Sequence, residues 1–258
     1  MNASLNHVLF GWYPYLCLTT FLVGSLLRFE REQYTWKAGS SQLLRRKQLV
    51  LGSTLFHVGI LVIFAGHFVG LLTPIAVFDF FGIGHGFKQG MAIVLGGVAG
   101  LICLVGITLL THRRLFDARI RATSSFGDTA ILLILFAQLL LGLATIPLSL
   151  GHMDGHEMVK FMTWAQGILT LQPGVSAEVA NVHPIFKAHL ILGMTIFLVF
   201  PFTRLVHAWS APIWYVGRKG YQIVRTKRPQ PARAARPASA GAPTRVRPIG
   251  QPAPVPAE

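Results

Sequence analysis

The sequence predicts an all-α fold, a bundle of five transmembrane helices, and three observations lead to that prediction. Of the 258 residues, 52% are hydrophobic and only 12% are charged, whereas soluble domains carry about 25% charged residues. The apolar residues are gathered into five long uncharged blocks. The basic residues, which give a formal charge of +14, fall in the gaps between the blocks. We therefore interpret them as membrane-flanking residues and expect no nucleic-acid partner.

The five blocks cover residues 8–27, 49–72, 91–111, 129–150 and 184 to about 209. Each has close to the roughly 20 helical residues that cross a hydrocarbon core about 30 Å thick. Strands are excluded because the blocks are continuously apolar rather than alternating. The first residues, MNASLNH, contain no basic run and no cleavage pattern follows the block, so we expect the first block to be a span and not a signal peptide.

Glycines in the third and fourth blocks predict close packing between helices. Gly96, Gly97, Gly100 and Gly106 lie in the third block and Gly142 in the fourth. Small residues let helix backbones approach one another inside a membrane. We interpret all five as packing residues without a functional role.

The two cysteines, Cys17 and Cys103, each lie inside an apolar block. They form no C-x-x-C-H motif, so the sequence excludes covalently attached haem. An iron–sulfur cluster needs about four protein ligands, so any such cluster belongs to a partner.

The distribution of Lys and Arg predicts the orientation in the membrane. Twenty of the 23 lie in the gaps 28–47 and 112–121 or from residue 204 onward, and three, Lys88, Lys160 and Lys187, lie in the other gaps. Because basic loops stay in the cytoplasm, the amino terminus is predicted outside and the carboxy terminus inside. The protein is therefore expected to cross the membrane several times, with most of its basic loops in the cytoplasm.

Two segments lie outside the spans. The gap 151–183 contains a possible amphipathic helix, predicted along the outer surface, with apolar residues at helical spacing: Met158, Phe161, Met162, Ala165, Ile168 and Leu169. Residues 229–258 are mainly Pro, Ala and Arg, which predicts a disordered cytoplasmic tail attracted to anionic membrane lipid. The predicted organisation is a membrane domain, 1–228, followed by this tail.

Four of the ten histidines lie within spans: His57 and His67 in the second, His189 and His207 in the fifth. Ionisable side chains inside spanning helices are rare and usually mark functional sites. The second and fifth spans run antiparallel, so His57 is expected near His207 toward the cytoplasm and His67 near His189 toward the outside. His183 is a rival outer ligand, but Pro184 places it at the start of the helix.

Opposed imidazoles are a standard way to hold haem iron on both axial faces, so the two pairs predict two stacked haem b groups. Zinc would need more ligands at one point. An iron held by two histidines has no open position and therefore transfers electrons. Carbonyl or hydroxyl groups are expected to fix the tautomer of each imidazole, and Ser53, Thr54 and Thr203 are near enough in sequence to be candidates.

The spacing between the two histidines of each span agrees only in part with this prediction. The 18 residues from His189 to His207 complete whole turns, so both imidazoles share one face, whereas the 10 residues from His57 to His67 leave them roughly 80° apart. The distance along the helix axis between the two histidines also differs, at about 15 Å in the second span and about 27 Å in the fifth. Helix tilt, a kink near Pro201 or oblique ligation are alternatives that would absorb the difference.

Five motifs together resemble the gamma subunit of respiratory nitrate reductase, a membrane cytochrome b, over roughly residues 12–228. The motifs are QYTW at 33–36, LFHVGILVIFAGHFVGLLTP at 55–74, RRLFDARIRAT at 113–123, HMDG at 152–155 and HLILGMTIFLVFPFTRLVHAWS at 189–210. The resemblance implies an outer haem b held by His67 and His189 and an inner haem b held by His57 and His207.

The resemblance also implies the function: oxidation of menaquinol or ubiquinol near the outer haem, at a pocket that includes Lys88. Gly66 is a candidate for close approach of the quinone. Electrons pass to the inner haem, then to an iron–sulfur beta subunit and a molybdenum alpha subunit that reduces nitrate at the cytoplasmic face. Residues 75–87 match the family least.

Two alternatives remain at the level of sequence. One is the cytochrome b subunit of a formate dehydrogenase or hydrogenase, which would have the same haems and a different partner. The other is a transporter that uses intramembrane histidines for a metal or proton path. For Lys88, an interfacial anchor is the alternative to a quinol-binding role.

Overall fold

The computed structural model describes residues 2–36 and 44–211, and all the regular structure in these ranges is helical. Five helices are long and apolar enough to cross a membrane, which confirms the predicted five-helix architecture and makes this a multi-pass membrane protein. The proposed tail, 229–258, lies outside the described residues.

Eight α-helices are described. The first and third spanning helices extend past the predicted blocks by four to six residues at each end, the second and fourth begin three residues earlier, and the fifth ends before residue 209. In chain order the helices are α1 (Ala3–Arg31, with a π-helical turn at Val8–Trp12), α2 (Arg46–Leu72), α3 (Ile75–Phe80), α4 (His85–Phe116), α5 (Ala118–Ala122), α6 (Phe126–Leu150), α7 (His156–Leu169) and α8 (Pro184–Val199).

The spanning helices pack in the order α2, α4, α6, α8, α1. Glycines allow the closest approach, between α2 and α4: a Cβ atom at Gly106 would lie 2.3 Å from the backbone nitrogen of Phe56. At Gly100 it would lie 2.6 Å from Leu143 on α6. The packing prediction is therefore confirmed for these two glycines. It is wrong for Gly96, where a Cβ would meet no described atom within 4 Å.

The helix α7 is the predicted amphipathic helix, and its apolar face is buried in the protein. Met162, Trp164 and Ile168 are buried, and the Trp164 indole donates a hydrogen bond of 2.9 Å to the carbonyl oxygen of Phe10. Gln166 donates to the last carbonyl groups of α2, at Leu71 and Thr73. The chain therefore fixes α7 against α1 and α2, although Leu169, predicted on the apolar face, is exposed.

The fifth span does not continue as one α-helix to residue 209. The helix α8 ends at Val199, a 3₁₀ turn covers Phe200–Phe202, Thr203 is extended, and a second 3₁₀ segment covers Arg204–Ser210. Pro201 explains the break because its ring removes a backbone donor. The prediction that His189 and His207 share one face of a continuous helix is therefore wrong.

Candidate functional site

The four intramembrane histidines form two pairs. The ring centres of His57 and His207 lie 6.2 Å apart, with an angle of 69° between the rings. Those of His67 and His189 lie 6.1 Å apart, at 42°. These are the partners expected from antiparallel second and fifth spans. Because the fifth span is broken after Val199, both pairs can form even though the two histidines are 10 residues apart in the second span and 18 apart in the fifth.

The separation of the rings fits a metal ion held between them. A metal–imidazole bond of about 2.0–2.1 Å on each side places the centres of two opposed imidazoles about 6 Å apart. Among the described residues no group of three or more His, Cys, Asp or Glu is placed to hold a metal. Each pair therefore offers two ligands, which suits an ion whose other ligands come from a macrocycle.

Three of the four imidazoles are oriented by backbone carbonyl groups. Nδ1 of His57 lies 2.7 Å from the Ser53 oxygen, and Nδ1 of His67 lies 2.9 Å from the Ile63 oxygen. Nδ1 of His207 lies 2.6 Å from the Arg204 oxygen. A carbonyl accepts only from a protonated Nδ1, so these bonds fix the tautomer that leaves the Nε2 lone pair free for a metal.

The side chains expected to orient the imidazoles contribute little. The Ser53 hydroxyl lies 3.2 Å from Nδ1 of His57, farther than its own backbone oxygen. The Thr203 hydroxyl donates to Phe200 and accepts from the Leu205 amide, so it is a helix cap. Thr54 makes no hydrogen bond to these rings within the described ranges. The expectation of carbonyl acceptors is therefore confirmed, with Ser53 as the predicted residue at His57, whereas Ile63 and Arg204 were not among the candidates.

His189 is held differently, by two residues of α6. The Gln138 amide nitrogen lies 3.4 Å from Nε2 of His189 and 3.1 Å from its backbone oxygen. At Gly142, a Cβ would lie 3.0 Å from Cε1 of the same ring. Gly142 therefore makes room for the imidazole, and its interpretation as a helix-packing residue alone is wrong.

Lys88 lies near the start of α4 with its side chain turned into the protein. It is 8% exposed, its Nζ lies 2.6 Å from the sulfur of Met162 on α7, and 3.8 Å from the centre of the Phe78 ring. No ion pair to Lys88 occurs among residues 2–36 and 44–211. A cation enclosed by apolar side chains does not have the geometry of an interfacial anchor, which extends toward the headgroups.

Gly66, beside His67 on α2, is open on its outer side. A Cβ at this position would meet no described atom within 4 Å, and neighbouring Phe64 and Phe68 are exposed. The helix face next to the His67 ring is therefore accessible to a flat molecule. The rival His183 instead caps α8, where its Nδ1 accepts from the Ile185 amide.

A charged cluster lies next to the 3₁₀ segment of His207. The Asp128 carboxylate, in the first turn of α6, lies 3.8 Å from Arg114 and 3.5 Å from Arg204. Nearby, Asp117 pairs with Arg45 at 2.7 Å. Amide donors from Ile120 and Arg119, together with Arg45, hold the pKa of Asp117 below its usual value. The ion pairs of this cluster thus involve three arginines and two carboxylates.

Known proteins indicate the same kind of membrane protein as the fold does. The fold is that of a multi-pass helical membrane protein in which four histidines form two pairs. The family profile described as nitrate reductase gamma subunit matches residues 6–227. The chain belongs to this family, whose members are the membrane subunits of a respiratory oxidoreductase complex.

Individual relatives agree with the family assignment. The respiratory nitrate reductase 1 gamma chain of Escherichia coli (strain K12) is 50% identical over 223 residues, 86% of this chain and 98% of the relative. The respiratory nitrate reductase 2 gamma chain of the same organism is 51% identical, over 88% and 100%. The nitrate reductase gamma chain of Bacillus subtilis (strain 168) is 39% identical, over 86% and 99%.

The family assignment bears on the alternatives. It favours a nitrate reductase subunit over the cytochrome b of a formate dehydrogenase or hydrogenase, and a redox role over transport. The name gamma chain also implies association with other nitrate reductase subunits.

Proposed function

We propose that this protein is a quinol-oxidising dihaem cytochrome b that carries electrons across a bacterial inner membrane to its partner subunits in a respiratory nitrate reductase. The observation that carries the proposal is the pair of opposed imidazoles at each of two levels, with ring centres 6.2 Å and 6.1 Å apart. Two imidazoles that hold one haem iron from its two axial faces would have about this separation.

His57 and His207 would hold the inner haem b, and His67 and His189 the outer one. When bound, the two haems would supply one-electron transfer across the membrane. The chain contributes oriented imidazoles, because backbone carbonyls accept from Nδ1 of three of them.

The quinol, menaquinol or ubiquinol, would bind near His67 on the outer side. Lys88 would donate a hydrogen bond to a quinol oxygen and stabilise negative charge there. In support, its contacts are with Met162 and Phe78, and no carboxylate among the described residues pairs with it. Gly66 leaves open the helix face beside His67. Oxidation of the quinol would then release its protons outside.

The partners would be an iron–sulfur beta subunit and a molybdenum alpha subunit at the cytoplasmic face. The basic side that the sequence assigns to the cytoplasm includes Arg114 and Arg204, close to the His207 segment. Nitrate reduction would take place on the alpha subunit and not on this chain.

The experiment uses the detergent-solubilised complex purified through this chain. We expect a reduced quinol to produce the absorption of reduced b haem, and nitrate then to reoxidise it. A complex without a molybdenum subunit, or haem that nitrate fails to reoxidise, would contradict the proposal.

A further inference from the structure

The four imidazoles differ in what holds their second nitrogen. In a haem ligand one ring nitrogen binds iron, and the other, as N–H, needs an acceptor that fixes the ring and raises its basicity. For His57, His67 and His207 that acceptor is a backbone oxygen. For His189, Nδ1 is buried and has no hydrogen-bond partner among the described residues.

Gln138 on α6 is the polar side chain in contact with this ring, and it has an unused acceptor. Its amide nitrogen lies 3.4 Å from Nε2 of His189 and donates to the His189 backbone oxygen at 3.1 Å. Its Oε1 is buried and lacks a partner within the described ranges. Two neighbouring side chains thus each leave one buried polar atom unsatisfied, a costly arrangement unless they serve each other.

The two helices are shaped to hold these side chains. Gly142, one turn after Gln138 on α6, accommodates the His189 ring, with a Cβ there 3.0 Å from Cε1. Gly193, one turn after His189 on α8, accommodates the Gln138 amide, with a Cβ there 3.2 Å from Nε2. Each helix therefore lacks a side chain where the other places its polar group.

We propose that Gln138 is the positioning residue of His189, and that its side-chain oxygen accepts the hydrogen bond that the other three imidazoles give to backbone carbonyls. The Gln138 amide nitrogen faces Nε2 of His189, the nitrogen that would bind iron. The terminal torsions of glutamine and histidine are broad and nearly twofold, so a half-turn of the imidazole would bring Nδ1 to the ring edge that Gln138 contacts, and a half-turn of the amide would turn Oε1 toward it. The midpoint potential of the outer haem would then depend on a hydrogen bond to a side chain. This inference rests on the proposed ligation of the outer haem by His67 and His189.

The test is a redox titration and a low-spin haem EPR spectrum of the purified complex with Gln138→Met, which keeps the length and removes both polar atoms. We expect the outer haem to shift to higher midpoint potential, or to be lost, with a changed EPR signal, while the inner haem is unchanged. Gln138→Glu, which restores an oxygen acceptor, should retain the haem at a potential below that of Gln138→Met.

The matched control is Gln48→Met on α2, since Gln48 also donates to a carbonyl of a neighbouring helix, at Leu109, but does not contact His189. Unchanged outer-haem signals in Gln138→Met, equal shifts of both haems, loss of both haems or the same effect in Gln48→Met would overturn the inference. Failure of the proposed function looks different, because the unsubstituted complex would then lack the two b haems.

Discussion

Arg28 of α1 donates a hydrogen bond of 2.6 Å to the carbonyl oxygen of Pro201, which lies in the 3₁₀ turn directly after α8. The same guanidinium group donates to the Thr203 oxygen at 3.0 Å. The break exposes carbonyl groups that an uninterrupted helix would satisfy, and a charged donor replaces those bonds. The position of His207 therefore depends on a residue of the first helix.

We predict that Arg28→Ala weakens binding of the inner haem and lowers the free energy of unfolding by about 2 kcal/mol, since hydrogen bonds to charged groups contribute about 1.5–3 kcal/mol. Haem content and thermal unfolding of the purified complex measure this effect. Arg31→Ala, which removes an exposed arginine from the same helix, is the control. Equal haem retention in both variants would show that Arg28 does not position His207.

His57→Ala should lose the inner haem and keep the outer one, which quinol can still reduce. The reason is that the two pairs share no residue and His67 lies beside His189. Optical and EPR spectra count the remaining haems. His112→Ala, which changes an exposed histidine of α4, should retain both. A His57→Ala protein with two haems would contradict the assignment of ligands.

Lys88→Ala should raise the KM for quinol roughly tenfold with haem content intact, because loss of one charge-assisted hydrogen bond costs about 1.5–3 kcal/mol. Steady-state quinol oxidation by the complex measures the change. Lys160→Ala provides the control, since Lys160 pairs with Glu157 and has no assigned contact with quinol. If Lys88→Ala leaves the kinetics unchanged, the lysine has only a structural role.

Gly142→Ala should disturb the outer haem alone. The added methyl group would lie 3.0 Å from Cε1 of His189, closer than ordinary van der Waals contact, so the ring must shift. A changed low-spin EPR signal or a lower outer-haem content is the expected result. Gly96→Ala, in open space on α4, should change neither haem. An unaltered outer haem in Gly142→Ala would show that the glycine does not contribute to the site.

The sequence predicted the five spans and the partners within each histidine pair because both follow from periodic, local features: the length of the apolar blocks and the alternating direction of the helices. It did not predict where the fifth helix ends. Pro201 was visible, but the extended Thr203 and the following 3₁₀ segment depend on Arg28, which is 173 positions away in the chain.

The orientation of the imidazoles was harder to predict for a similar reason. Carbonyl acceptors were expected, but every residue has a backbone oxygen, so the sequence could not single out those of Ile63 and Arg204. Gln138 did carry a signal, as an amide within an otherwise apolar span, and such residues are functional candidates by default. Its contact with His189 joins two helices that sequence reasoning alone does not bring together.

Each histidine pair is expected to hold one haem b. The most direct test is a reduced-minus-oxidised spectrum of the purified protein, combined with haem extraction, to count haems per polypeptide. Two b haems per chain are predicted. Folded protein that contains no haem, after expression with ample haem supply, would contradict the account and return the four histidines to a transport role.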